Sequence, residues 1–175
     1  EGASPAFATP LAELGLGDLG SADFRVVSQD PRKVVFERTQ SGVTVRKSFV
    51  FEEESYRFRL GLEIANAAEG DVSPEFGVEL PEQVQPGSDF RELTIAALVQ
   101  GSVERELIAS FGQSGGIGAM FGSKPEPQRD FAGDIEWSGA YSHYFLTALL
   151  PDIARDARVS WFAARPGEET LVTMS

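Results

Sequence analysis

An all-β fold of antiparallel strands packed as a sandwich is the class this sequence predicts. Three observations predict it. Apolar and polar residues alternate at period two through much of the chain, the pattern of strands with one buried face. Short turn signals separate the alternating runs. The composition is rich in Phe (13) and Gly (18) and holds only 2 Met, a mix that suits strands and turns better than a helical bundle.

Residues 1–20 carry little periodicity and read as an irregular lead-in with a helical turn at Leu11–Leu16. Phe24–Gln29 and Lys33–Gln40 are strand-like and are separated by the turn signal Asp30-Pro31. Val43–Glu52 follows after Ser41-Gly42, a two-residue hairpin loop. In it Val43, Val45, Lys47, Phe49 and Phe51 share one face, and Thr44, Arg46 and Ser48 share the other. The clearest strand is Tyr56–Asn66, with Tyr56, Phe58, Leu60, Leu62 and Ile64 on its apolar face. The acidic run Glu52–Glu54 before it reads as a solvated turn.

Glu75–Leu80 is a short strand ended by Pro81. Phe90–Gln100 and Ser102–Phe111 pair across a turn at Gln100-Gly101. Residues 112–129 form a Gly/Pro-rich loop, and Phe131–Trp137 is a further strand. The apolar segment Tyr144–Leu150 is of ambiguous type. Arg158–Ala164 and Thr170–Met174 are strands around the turn Pro166-Gly167. The sum is roughly ten strands with short connections, hence antiparallel sheets in a sandwich with few short helical turns.

At 175 residues the chain fits one domain with a real core, and its 42% apolar content is ordinary. A net charge of −12 argues against nucleic acid as a partner and against adhesion to anionic lipid. The absence of Cys removes disulfides, thiolate catalysis and Cys-type zinc sites. No apolar run approaches the ~20 residues that span a bilayer. The chain opens without a signal peptide and stops directly after an apolar strand, so a single domain over 1–175, cut from a longer protein at both ends, is expected.

Catalytic chemistry finds little support. Nucleophilic catalysis needs a base beside the nucleophile, and the one His, His143, lies in an aromatic stretch with no G-x-S-x-G elbow in the chain. Asp130, Asp134 and Glu136 alternate along a strand and mark its solvent face. The loop GQSGGIGAMFGSK lacks the G-K-[ST] closure of a phosphate loop. Its apolar tip, Ile117, Met120 and Phe121, either contacts a partner or folds back to cap the sandwich. A glycosidase pair among the 27 Asp and Glu needs a shared cleft that sequence does not reveal. No catalytic, cofactor-binding or metal residue is assigned.

The most informative stretch is WSGAYSHYFLTALLP, residues 137–151. It resembles the signature of the large extracytoplasmic domain of bacterial YidC-type membrane protein insertases. That family shows W-x-G, a short spacer, Y-F, and an apolar run closed by Pro. Here these are Trp137, Gly139, Tyr144, Phe145 and Pro151. A second island, K-[ST]-F-x-F followed by an acidic turn, Tyr and an alternating strand ending in Asn, is matched by Lys47, Phe49, Tyr56 and Asn66. The resemblance runs over about residues 24–174. The family's first strands and its helical linker to the second membrane helix have no counterpart before residue 20 or after Ser175.

The resemblance implies a β-supersandwich similar to galactose mutarotase, lying at the periplasmic face of the bacterial inner membrane. It implies a soluble, monomeric domain of a multi-pass insertase, without cofactor and without enzymatic activity. It implies nascent membrane proteins and Sec translocon components, a SecF-type accessory subunit among them, as partners. The competing reading is a carbohydrate-binding or aldose-epimerase-like domain on the same fold; a third is a generic secreted interaction domain. In all of them the aromatic stretch is expected to be structural, with Trp137, Tyr144, Phe145 and Leu149 packed in the core.

Overall fold

The computed structural model describes residues 7–74, 77–82, 93–108, 128–162 and 170–174. All strand pairings are antiparallel. The all-β antiparallel expectation therefore holds. Contacts divide the chain into two units, Thr9–Phe76 and Glu1–Ala8 with Gly77–Ser175.

In the first unit β1 (Arg25–Asp30), β2 (Lys33–Gln40), β3 (Val43–Phe51) and β4 (Phe58–Asn66) form one sheet in sequence order. Local chemistry sets each turn. Ser41 and Gly42 take φ of 52° and 81°, the paired positive values of a type I′ hairpin loop. The Asp30 carboxylate accepts the Arg32 N–H at 3.0 Å and closes the first turn. The Asn66 amide donates to the Gly70 carbonyl at 2.7 Å and accepts the Ala68 N–H at 3.0 Å, which ends β4.

The register places Val45 opposite Ile64, Lys47 opposite Leu62 and Phe49 opposite Leu60. One face of this sheet is thus apolar, as the alternation predicts. The lead-in covers part of it: Leu11, Leu14 and Leu19 cluster with Val43 and Val45 around a 3-10 turn at Ala12–Leu14. Further along, Phe36, Phe49, Phe58 and Phe51 make successive ring contacts at 5.9, 5.8 and 5.7 Å. Tyr56 does not join that face. The strand begins only at Phe58, and Tyr56 lies in the preceding turn, fully exposed.

Lys47 stays on the buried face with only 8% exposure, its ammonium 4.7 Å from the centre of the Phe24 ring. The ring offers a cation–π contact in place of water. Burial pushes its pKa down, and the negative charge of Asp18 works against that shift.

The second unit holds two four-stranded sheets. One has the order β10 (Leu146–Leu149), β9 (Ile135–Tyr141), β6 (Thr94–Val99), β7 (Ser102–Leu107). The other has the order β5 (Val78–Glu82), β12 (Thr170–Met174), β11 (Arg158–Phe162), β8 (Gln128–Ala132). Their shared core includes Leu80, Ile95, Ala97, Ile135, Ala140, Val159 and Trp161. Gln100 and Gly101 again show paired positive φ, 51° and 75°, at the expected β6–β7 turn.

Besides the start of β4, two strand boundaries differ from the sequence reading. The single strand expected over Phe131–Trp137 is two strands, β8 and β9, in different sheets. Gly133 and Asp134, with φ of 72° and 44°, turn the chain between them. Pro81 does not end β5, which continues to Glu82 with Pro81 opposite Leu171. The strand is at a sheet edge, where a missing N–H is tolerated on the open side.

One hydroxyl joins the two sheets. The fully buried Trp161 donates its indole N–H to Ser138 Oγ at 3.0 Å, and Ser138 Oγ donates to the Ala96 carbonyl at 3.2 Å. At the rim, Arg129 of β8 pairs with Glu106 of β7 at 3.2 Å and lies over the rings of Phe131 and Trp161. Replacing Ser138 by Ala strands a buried indole donor and should lower unfolding stability by about 1–3 kcal/mol. In a double-mutant cycle with Trp161→Phe, measured by denaturant unfolding, the double variant should lose less stability than the two single variants summed; strict additivity would exclude the coupling.

Lys47 gives a second prediction. A lysine with a depressed folded pKa binds fewer protons folded than unfolded near that pKa, so stability rises with pH from there toward the unfolded value. Lys47→Met should match or exceed the native chain in stability at neutral pH and lack that alkaline rise. Urea midpoints measured across the alkaline range test this, and parallel slopes for the two proteins would refute it.

Candidate interaction surface

From Trp137 to Pro151 there is no Asp, Glu, Lys or Arg, in a chain that is 24% charged. Sequence reasoning places this stretch in the core. The structure divides it between core and surface. β9 carries Ile135, Ser138 and Ala140 into the interior. At Ser142 the chain reverses. The Ser142 N–H donates to the Phe145 carbonyl at 2.8 Å, and Ser142 Oγ accepts the N–H groups of Tyr144 and Phe145 at 3.4 and 3.3 Å. A serine closing a turn on its own neighbours is a familiar local competition with strand pairing.

His143, Tyr144 and Phe145 therefore form the tip of a hairpin. Tyr144 is 83% exposed and Phe145 78%, which overturns the expectation that they pack the core. His143 is exposed too, its ring edge-on to Tyr144 at 5.3 Å. β10 then returns along β9, Leu146 opposite Tyr141 and Leu149 opposite Ser138. Leu149 packs on the core as expected, whereas Leu146 is 61% exposed. Leu150 and Ile153 beyond the strand are also exposed. The result is an uncharged ridge of large apolar side chains on an edge hairpin, a patch of the kind that marks a contact surface.

Gly139 explains how β10 sits so close. A Cβ there would overlap the Thr147 carbonyl oxygen and stand 2.6 Å from Ala148 Cα. Gly139 thus lets the edge strand close on β9, directly beside the Ser138 that anchors β9 to Trp161.

Among the described residues there is no grouping of three or more His, Cys, Asp or Glu suited to a metal, and no helix long and apolar enough to cross a membrane.

The sequence profile of the YidC periplasmic domain matches residues 20–169. The chain belongs to the YidC periplasmic domain family. Among its relatives, the membrane protein insertase YidC of Anaeromyxobacter sp. (strain Fw109-5) is 26% identical over 94% of this chain and 30% of that protein. The YidC of Syntrophus aciditrophicus (strain SB) is 23% identical over 77% of this chain and 23% of its own length. The chain therefore spans about a third or less of the insertases it matches.

Within this YidC periplasmic domain the signature residues take distinct places. Gly139, Tyr144, Phe145 and Pro151 lie on or beside the β9–β10 hairpin, with Trp137 half-buried on β9. Lys47, Phe49 and Asn66 are structural parts of the β1–β4 sheet. Ile117, Met120 and Phe121 fall outside the described residues. Sequence reasoning missed Leu146, Leu150 and Ile153 as surface residues; the available signal was the long uncharged run itself.

A contrast of two substitutions tests this placement. Tyr144→Ala removes an exposed ring and should shift stability by no more than about 0.5 kcal/mol. Gly139→Ala should destabilise clearly and release from protection those amides of 146–149 that bond to β9. Hydrogen exchange and denaturant unfolding measure both, and a Tyr144→Ala loss as large as that of Gly139→Ala would restore the core reading.

Proposed function

We propose that this YidC periplasmic domain is a protein-contact module at the periplasmic face of the inner membrane, accessory to insertion and folding of membrane proteins. It works as one domain of a longer multi-pass insertase, and the β9–β10 hairpin is its contact surface. The observation that carries the proposal is the exposed, charge-free apolar ridge at Tyr144, Phe145, Leu146 and Leu150. Newly made membrane proteins are rich in apolar segments, which such a ridge can shield from water. Sec translocon components, a SecF-type accessory subunit among them, are the second class of partner in this reading.

Contact rather than catalysis fits the only His. An epimerase reading needs His143 beside a carboxylate in a cleft. His143 instead stands at a hairpin tip against Tyr144, and among the described residues no ion pair includes it.

The test is photo-crosslinking in the full-length protein during membrane-protein synthesis. A crosslinker at Tyr144, Phe145 or Leu146 should yield adducts with nascent chains or Sec components. The same group at exposed Glu54, in the turn before β4, should not. Equal adducts at both places, or none at the hairpin, would refute the assignment.

A further inference from the structure

We infer that β10 is an open docking edge that takes an extended, uncharged apolar polypeptide segment as an added strand of its sheet. This rests on the contact reading above and specifies its mode and its ligand.

β10 differs from every other edge strand described in this molecule. Among the described residues three sheets present six edge strands, β1, β4, β5, β7, β8 and β10. Exposed edges invite pairing, and proteins guard them with charge, proline, bulges or very short strands. Five edges here carry charge, proline or a register shift. β1 shifts register between Val26 and Ser28 and has charged ends, Arg25 and Asp30. β4 carries Arg59 and Glu63, β7 carries Glu104, Arg105 and Glu106, and β8 carries Arg129 and Asp130. β5 contains Pro81, and its outer side is already bonded at Glu79 to the backbone of Phe7 and Ala8. β10, four residues long and so guarded by its shortness alone, reads Leu-Thr-Ala-Leu, with no charge, no proline and no register shift, and its flanks from Trp137 to Leu150 hold no charge and no proline.

The edge is also preformed. Four consecutive pairs, Leu146–Tyr141 to Leu149–Ser138, hold β10 to β9, and the close approach at Gly139 fixes its position. Among the described residues no strand lies on its other side, so alternate backbone N–H and C=O groups point away from β9. An added strand pairs with backbone groups of that kind, whereas a helix, whose own backbone groups are bonded internally, does not.

Charge selects which strand. A second copy brings another net −12 and is repelled before the edges meet. A charged segment finds no countercharge between Trp137 and Pro151. An uncharged apolar segment meets neither obstacle. Strand alternation places its side chains in two rows, one beside Leu146 and Ala148 on the outer face, the other beside Thr147 and Leu149 at the core margin.

The probe is a fluorescent, uncharged octapeptide of alternating valine and threonine, blocked at both ends and titrated into the 175-residue chain. Two copies carry N-methyl groups, one on every valine nitrogen and one on every threonine nitrogen, so each blocks one edge of the peptide. Amide shifts on binding should centre on Leu146–Leu149. One methylated copy should bind about tenfold or more weakly while the other binds nearly as the parent does, because only one edge of a strand pairs with β10. Leu146→Asp, an exposed substitution, should weaken binding and Val26→Asp on β1 should not, with circular dichroism confirming the fold of both. Equal binding of the two methylated copies, shifts centred elsewhere, or no binding of the parent peptide would overturn strand addition. So would a dimer of the free chain that Thr147→Lys dissolves, or flotation with phosphatidylglycerol vesicles that Phe145→Asp abolishes. Hairpin crosslinks that persist while both methylated copies bind alike would leave the contact surface standing and remove only the mode.

Discussion

The hydrogen bond from Trp161 to Ser138 is the constraint on which the two-sheet unit depends. A tryptophan buried completely between two sheets contributes a large apolar surface, but its N–H must find an acceptor where none is freely available. Ser138 is fully buried and meets that need, while its own proton goes to the Ala96 carbonyl. One hydroxyl thereby ties β11 of one sheet to β9 and β6 of the other. Face-to-face sheets sit about 10 Å apart, and the indole bridges that spacing while Arg129 and Glu106 close the rim.

What happens at Ser138 determines what happens at its neighbour. Successive residues of a strand point to opposite faces, so a Ser138 turned inward turns Trp137 and Gly139 outward. The missing side chain of Gly139 lets β10 approach where any Cβ would strike the Thr147 backbone. The W-S-G triplet thus has one task per residue: a half-buried ring outside, a polar anchor inside, and an opening for the edge strand. The hairpin tip is held at a distance from the core by this anchoring. An apolar surface held by rigid elements loses less freedom on contact than a loose one, which favours binding.

Much of this was legible in the sequence, for identifiable reasons. The β1–β4 sheet was readable because its alternation is regular and its turns carry their own chemistry, Asp30-Pro31 and Ser41-Gly42. The β8–β9 boundary was missed because acidic residues alternate across Gly133-Asp134 and imitate a continuous strand. The exposed hairpin was missed for a subtler reason. Tyr144 and Phe145 have the composition of a core segment, but they sit in the turn that the hydrogen bonds of Ser142 close. Composition reports how apolar a segment is, not which side of the sheet edge it occupies. Trp161 illustrates the converse: it lay in an expected strand without standing out, yet it is the centre of the core.

The acidic surface and the bare edge make sense together. An unguarded apolar strand on a neutral protein would be a template for self-association. Local guards would prevent this, but they would also prevent any other strand from pairing. A net charge of −12, carried outside residues 137–151, works differently. It acts between whole molecules, over a screening length of about 8 Å at physiological salt, so two copies repel before their short edges can align. A neutral segment feels no such barrier and reaches the edge intact. Distributed charge can therefore distinguish a copy of the chain from an apolar segment where a lysine on β10 could not.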